Sequence, residues 1–489
     1  MDAAAFAQSL RDNLPYAPNA QQTALIDVLA RFCTVPVDGQ ERAFILNGYA
    51  GTGKTSLTGA LVKVLRDAKR PFMLLAPTGR AAKVLSTNAG GLKAYTIHRK
   101  IYRHDPFGGA GWQRGEHTPA DNKLQNAVFI VDEASMIAAA DERGENLLED
   151  LLAYVFGNPG NSLILIGDTA QLPPVGSDRS PAMNADVLRR YGIKVTHAVL
   201  TETARQSADS GILFNATRLR RIMAKIKALP EGSLLPVPKL RERGFDDVAV
   251  VEGTDLPEAI YDAYSEGIND TILITRSNRR AAEYNAAIRS QVLYRESEIE
   301  VDDMLIVSRN HYFQKKVEGL DFVANGDIVT VVKIYGVEAM HGLRFADIRV
   351  AAPAADGEGE DVEFDCKIIL DTLNTPEASL PQESWNTLYY SLMAGDGPYG
   401  AIPADRRPGA LRSDPYWNAV HVKYAYAITC HKAQGGQWNN VFVDLSYIPE
   451  DALGQNLYRW LYTAVTRARR KLYLIEPPEA LMSGVRKEE

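Results

Sequence analysis

Cysteine is scarce: Cys33, Cys366 and Cys430 are the only three in 489 residues, far apart and without metal-ligand spacing. That argues against a disulfide scaffold and fits a reducing, cytoplasmic setting. No window approaches the roughly 18 apolar residues of a membrane-spanning helix. The opening Met1-Asp2-Ala3-Ala4-Ala5-Phe6 has no basic region before an apolar core, so no signal peptide is expected. Positive charge is not in excess either, since the formal net charge is −7. This withholds a global sign of nucleic-acid binding without excluding it, because tracking phosphates needs a basic groove and not a basic protein. No internal repeat at solenoid spacing is present.

What is present is ordinary in bulk and specific in detail. Hydrophobic content of 46% and charged content of 24% suit a globular chain, and the length suggests roughly three domains. The most specific stretch is Gly48-Tyr49-Ala50-Gly51-Thr52-Gly53-Lys54-Thr55. An apolar strand-like run, Ala43-Phe44-Ile45-Leu46, precedes it and a helix-forming run, Ser56 to Val62, follows. This strand–loop–helix context marks a phosphate-binding P-loop. Its glycines Gly48, Gly51 and Gly53, with Thr52, let backbone N–H groups close around an anion at a helix N-terminus. Lys54 would reach the β/γ-phosphates of ATP, and Thr55 would place its hydroxyl on Mg²⁺.

The first two hundred residues alternate apolar strands with helical patterns: Phe72–Ala76, Ala127–Val131 and Ser162–Ile166. Such strands imply a parallel sheet covered on both faces, with ligand chemistry at its carboxyl ends. Each strand does end in a motif. Asp132-Glu133 would hold the Mg²⁺ water shell and polarise the attacking water. Gln171, in Gly167-Asp168-Thr169-Ala170-Gln171-Leu172-Pro173-Pro174-Val175, would sense the γ-phosphate. Two arginines, Arg205 and Arg467, would offer planar cations across an interface to the transferring phosphoryl group. A second α/β pattern begins near Asp270 and resumes at Tyr424–Thr429, Val441–Asp444 and Lys471–Ile475. Between them, 303–417 reads as a small inserted β-barrel, with Asn325-Gly326-Asp327 as a turn, 355–361 as an exposed acidic loop and 403–415 as a surface excursion. The glycine-bearing stretch from Ile101 to Leu124 fits a β-hairpin or a surface loop. The basic run Arg218–Lys227 reads as a solvated helix face.

Taken in order, the P-loop, Ala76–Ala82, Thr96-Ile97-His98, Val131–Met136, Gly167–Val175, Arg205-Gln206, Ala427–Gly435 and Tyr462–Arg467 resemble the motif series of superfamily 1B helicases, the Dda-like and RecD-like group. The resemblance spans about residues 20 to 475 and implies two RecA-like domains: 1–200, and 201–302 with 418–489. It also implies a hairpin at about 101–124 and an SH3-like barrel at 303–417. ATP would sit between the domains, with Gln21 reading adenine (Gln22 is a rival) and Gln434 and Gly435 at the nucleotide. Pro77, Thr78, Thr96, His98, Thr429 and His431 match DNA-proximal positions, and Phe107 or Trp112 would be the wedge that splits base pairs. Where the group often carries a Glu that binds ribose, this chain has Gln437, which lacks charge. The activity implied is ATP-dependent, 5′→3′ translocation on single-stranded DNA with unwinding of duplexes. Its partners would be single-stranded DNA and strand junctions, with single-stranded DNA-binding or replication and repair proteins. An RNA helicase or ribonucleoprotein remodeller, or a regulatory ATPase that does not unwind, is the alternative.

Overall fold

The computed structural model describes all residues except 36–38, 103–118, 139–145, 175, 178, 203–208, 227–229, 231–232, 234, 319, 353–360, 376, 378–379, 396, 404–405, 449–453 and 484–489. Arg205, Phe107 and Trp112 lie outside the described residues, as do most of the expected hairpin and most of the acidic loop.

The first apolar runs become β1 (Arg42–Gly48), β2 (Phe72–Ala76), β3 (Ala94–Thr96), β4 (Val128–Val131), β5 (Ser162–Gly167) and β6 (Lys194–Leu200). They form one parallel sheet in the order β3-β2-β4-β5-β1-β6. Alternate side chains of a strand point to opposite faces, and here both faces are covered. Phe44, Leu46, Val128, Ile130, Ile164 and Ile166 join a core with helices Ala3–Asp12, Ala20–Thr34 and Lys54–Asp67. Ala43, Ile45, Phe129, Val131, Leu163 and Leu165 join another with helix Leu147–Phe156. That two-sided burial is why these strands are apolar throughout.

The chain then forms β7 (Val248–Val251) and β8 (Thr271–Thr275) and departs into β9 (Met304–Val307), β10 (His311–Val317), β11 (Leu320–Val323), β12 (Ile328–Met340), β13 (Leu343–Ala352), β14 (Val362–Ile369) and β15 (Val420–Tyr424). It returns as β16 (Ala427–Thr429), β17 (Trp438–Asp444) and β18 (Ala468–Ile475). The second sheet is parallel, in the order β16-β8-β17-β18-β7. β9, β12, β13, β14 and β15 close a barrel, and β10–β11 form a separate hairpin. The architecture is therefore two RecA-like α/β domains with a β-barrel inserted into the second.

The run Tyr424–Thr429, read as one strand, is divided. Tyr424 ends a barrel strand that starts at Val420, past residue 417, while Ala427 begins a sheet strand. Asn285 Oδ1 marks the division, accepting from the N–H groups of Tyr426 (3.0 Å) and Ala427 (2.8 Å). Both halves are buried, so apolar patterning could not reveal a change of pairing partner. The stretch 403–415 also contains a helix, Arg407–Ser413, whose Leu411 is buried against the barrel with Leu388 and Leu392 of helix Gln382–Met393. It is part of a core and not only a surface excursion.

Barrel and second domain share one apolar core. The buried Asp303 clamps their junction, accepting from Arg289 (2.8 Å), Arg295 (2.6 Å) and the Tyr426 hydroxyl (2.9 Å). The barrel also docks on the first domain. Lys83 pairs with Asp327 at 3.4 Å, Arg99 lies over the Phe322 ring at 5.3 Å, and a Cβ at Gly79 would stand 2.4 Å from that of Ala324. No helix among the described residues is long and apolar enough to cross a membrane.

One acid-sensitive point lies in β15. His421 is only 3% exposed and stacks on Trp385 at 5.1 Å. Burial, with Arg309 and His311 adding, holds its imidazole down at about 4. An unfolded histidine titrates near 6.5, so below that pH the unfolded chain takes up a proton that the folded chain refuses. Stability from this group is full above about pH 6.5 and lost as pH falls to about 4, up to about 3 kcal/mol. Thermal melts should show a steeper loss between these pH values in the wild type than in His421→Phe.

Candidate nucleotide and nucleic-acid site

The P-loop leaves β1 and enters helix Lys54–Asp67 through Gly51 and Gly53, at φ +74° and +88°. Space as well as backbone conformation demands glycine here. A Cβ at Gly53 would lie 2.1 Å from the Tyr16 hydroxyl, and one at Gly48 would lie 2.6 Å from Lys54 Cγ. The Lys54 amine donates to the carbonyls of Gly48 (2.5 Å) and Tyr49 (3.0 Å). Thr52 is buried and donates to Tyr49 O at 2.8 Å, whereas Thr55 is exposed at the helix start.

Two strands across, β4 delivers Asp132 and Glu133 to the same edge of the sheet. Glu133 holds a left-handed backbone (φ 50°, ψ 34°), costly for a residue with a Cβ and frequent where function demands it. Its N–H donates to Asp132 Oδ1 at 2.9 Å. Withdrawal from water raises the Glu133 carboxyl to about 7, with the charges of Asp132 and Asp168 adding and those of Arg467 and Lys54 opposing. Asp132 is also raised, chiefly by the same withdrawal, against its bond to the Glu133 N–H and the charge of Lys54. Lys54, both carboxylates and Arg467 thus share one electrostatic neighbourhood.

Arg467 reaches it from the other domain. Its guanidinium is buried and donates to Thr463 O, Gly436 O and Thr466 Oγ1, each at 3.0 Å. Gln171 is buried too, and its Oε1 has no hydrogen-bond partner among the described residues. The turn bearing it is gripped by the second domain. Leu172 N–H donates to Thr463 Oγ1 (2.8 Å), Leu172 O accepts from Gln434 Nε2 (2.8 Å), and Ala170 and Leu172 pack into the second domain's core. Gln434 is thereby placed at the domain contact. Gly435, at φ +74°, faces Ala81 and Thr78 there.

The rivalry between Gln21 and Gln22 has a structural side. Gln22 completes the capping box of helix Ala20–Thr34 and donates to Thr52 O at 2.9 Å. Gln21 accepts from the N–H groups of Thr201 (2.8 Å) and Glu202 (3.1 Å), at the end of β6. Gln437 is exposed and accepts from Arg469 Nε at 3.0 Å.

The expected DNA-proximal residues gather at strand ends. Pro77 and Thr78 follow β2, and Thr78 caps helix Gly79–Asn88. Thr96 ends the neighbouring β3 and caps the short helix Ile97–Ile101, which carries His98. From the other domain, Thr429 ends β16 and His431 follows it, exposed. The chain leaves toward the expected hairpin at Tyr102 and returns at Pro119, and these two residues are bridged antiparallel.

Several contributors were not foreseen. Arg80 stacks on Trp438 across the domain contact at 4.0 Å, and burial lowers its guanidinium to about 10, with Asp327 opposing and Arg467 and Arg469 adding. Arg220, part of the run read as a solvated face, lies over the Tyr49 ring at 4.5 Å and donates to Thr201 O at 2.9 Å. Tyr462 and Thr463 sat inside a recognised motif, but nothing local in the sequence names their partners across the interface. The set fits a Mg²⁺–nucleotide. Gly48 and Gly53 of the cradle have no room for a Cβ, Thr55 and Asp132 are oxygen donors suited to a hard cation, and Gln171 carries a buried oxygen that is unpaired among the described residues.

Residues 20–230 match an AAA domain model and residues 424–475 a UvrD-like helicase C-terminal domain model. The chain is 35% identical over 155 residues to the ATP-dependent RecD2 DNA helicase of Deinococcus radiodurans, covering 32% of this chain and 18% of that protein. It is 24% identical to the ATP-dependent DNA helicase dda of Enterobacteria phage T4, over 88% of this chain and 93% of that one. To the ATP-dependent DNA helicase Pif1 of a Psychrobacter species it is 25% identical, over 87% and 64%. The chain therefore spans under a fifth of the RecD2 relative but nearly all of the phage one. Among solved structures, the Pif1 helicase from Bacteroides in complex with ADP-AlF3 and single-stranded DNA aligns with a TM-score of 0.47 at 15% identity, over 96% of this chain and 95% of that one. With its ordered motifs on two parallel α/β sheets and matches at both ends of the motif series, the chain is similar to the superfamily 1B helicases.

Proposed function

We propose that this chain is an ATP-dependent DNA helicase that moves 5′→3′ along single-stranded DNA and unwinds duplexes at strand junctions. The observation that carries the reading is the split site. Lys54, Asp132, Glu133 and Gln171 stand on one RecA-like domain and Arg467 on the other, with Gly436 bonded to Arg467 and packed against Arg80 of the strand-facing edge. Chemistry at such a divided site would alter the fit of the two domains, and that fit also sets how Thr78 and Thr96 of one domain stand relative to Thr429 of the other.

Within this reading Lys54 leaves its loop carbonyls to neutralise the β/γ-phosphates, and Glu133 accepts the proton of the attacking water. Thr55 and Asp132 would hold Mg²⁺, which supplies charge neutralisation across the phosphates. Arg467 stabilises charge that develops only as the γ-phosphoryl leaves. Hydroxyls and imidazoles from both domains (Thr78, Thr96, His98, Thr429, His431) then grip the strand alternately, combining phosphate contacts with stacking.

Strand displacement with matched tails tests the polarity. A duplex with a 5′ single-stranded tail should unwind in the presence of ATP, and one with a 3′ tail should not. Unwinding of the 3′-tailed duplex alone would overturn the direction, and DNA-stimulated hydrolysis with no displacement would favour the regulatory ATPase. Stronger stimulation by RNA than by DNA would favour the RNA helicase.

A further inference from the structure

The hydroxyl of Tyr462 joins three elements that the proposed reaction must keep in register. It accepts a hydrogen bond from the Ala50 N–H of the P-loop at 2.8 Å. It donates to Asp168 Oδ2, at the end of β5, at 2.7 Å. The residue itself belongs to helix Gln455–Val465 of the second domain and is 1% exposed. Burial, and then the charge of Asp168, holds the phenol well above its ordinary value, so it stays a donor.

The neighbours extend the link in both directions. Asp168 Oδ1 accepts from Ala170 N–H at 3.0 Å, and Thr463 takes the Leu172 N–H at 2.8 Å, so two successive residues of one helix hold both ends of the turn carrying Gln171. On the other side, Thr463 O accepts from Arg467 Nε at 3.0 Å. One rigid helical segment therefore touches the P-loop backbone, the Gln171 turn and the arginine. An ordinary buried tyrosine needs one partner for its hydroxyl. This one has two, both on the opposite domain and both next to groups placed at the phosphates.

We propose that Tyr462 is a positioning residue: its hydroxyl registers the second domain against the P-loop and Asp168, and so sets where Arg467 and Gln171 stand relative to the γ-phosphate. The inference rests on the ATP-hydrolysing reading above. The ring supplies packing, and the hydroxyl supplies register. Loss of the hydroxyl leaves the Asp168 carboxylate and the Ala50 N–H without their cross-domain partner, and the helix loses the contact that fixes its height over the P-loop.

The test uses the full chain, with ATPase kinetics at saturating single-stranded DNA for Tyr462→Phe, Asp168→Ala and the double variant. Each single change should lower kcat about tenfold or more, the scale of a hydrogen bond to a charged partner, while KM for ATP moves much less. The double variant should be no slower than the slower single one, because both remove the same link. Wild-type kcat and KM in Tyr462→Phe, or losses that multiply in the double variant, would overturn the proposal. A purely structural tyrosine would instead lower the melting temperature and leave kcat per folded molecule unchanged. If Tyr462→Phe does not fold, Asp168→Ala reads the link from its other end: reduced kcat with retained ATP affinity supports it, and unchanged kcat sinks it. The wild type keeps the two ideas apart, since absence of DNA-stimulated hydrolysis there would defeat the proposed function itself.

Discussion

Arg467→Ala is expected to lower kcat for ATP hydrolysis by about a thousandfold or more, the effect of withdrawing an arginine from a phosphoryl-transfer site, while ATP still binds. The asymmetry follows from where the charge lies. In the proposed ground state Lys54 and the P-loop N–H groups, all on the first domain, would already meet the β- and γ-phosphates. Charge that shifts as the γ-phosphoryl leaves would then fall to Arg467 of the second domain, and an interaction made only then affects kcat and spares binding. The guanidinium is ready for this, since Thr463 O, Gly436 O and Thr466 Oγ1 already fix its plane. Truncation also leaves those three buried acceptors short of a donor, so a melting curve must accompany the kinetics. Arg467→Lys is the control: it keeps a charge but cannot span the same acceptors in a fork, and it should recover only a small part of the loss. Fluorescent-nucleotide binding beside steady-state hydrolysis decides the matter, and wild-type turnover in the alanine variant would remove Arg467 from the reaction.

Glu133→Gln should cost between about a hundredfold and ten-thousandfold in kcat, the range for loss of a general base, with nucleotide affinity retained. The amide keeps the shape of the side chain but cannot take a proton from water. The raised carboxyl adds a pH signature. A group held up to about 7 by withdrawal from water is protonated, and useless as a base, below that pH. In the wild type, kcat/KM should therefore fall as pH drops through about 7. The sign for stability is opposite. An acid whose folded value lies above its unfolded one favours folding at low pH and loses that contribution as pH rises from about 4.5 to about 7. Glutamine is never charged, so Glu133→Gln should melt no lower than wild type at pH 8. A variant that keeps wild-type hydrolysis would disqualify Glu133. One that melts well below wild type at pH 8 would show that the carboxylate is not carried at a cost.

Much of the first domain was legible because its signals are local. A two-sided parallel strand must be apolar at every position, and Phe44–Leu46, Phe129–Val131 and Leu163–Ile166 are. A P-loop must be glycine-rich where backbone meets phosphate, and Gly48 and Gly53 prove to have no room for a side chain. The barrel could be foreseen as a β-rich insertion, but not its last strand. Val420–Ile428 is buried along both the barrel part and the sheet part, and only pairing with β9 or β8 separates them. Within the run at 218–227, Arg221 and Lys225 are exposed as a solvated face requires, and Arg220 departs from that reading. Arg220 has the charge of a solvated residue, but it covers Tyr49 with its guanidinium, a contact between residues far apart in sequence.

By itself, the sequence determined which chemistry each domain can supply: the phosphate cradle, the acidic pair, the strand-end hydroxyls and the presence of Arg467 in a recognisable motif. Those features depend on residue type and on spacing within a few positions, so they can be read along the chain. The tertiary structure alone decided which of these groups meet. Ala50 and Tyr462 are 412 residues apart, Leu172 and Thr463 are 291 apart, and Arg80 finds Trp438 only when the two sheets face one another. Contacts of this kind depend on how two rigid cores sit together, a global balance of packing and hydrogen bonding that no local window records. Any function that couples ATP hydrolysis to movement depends on that second kind of information.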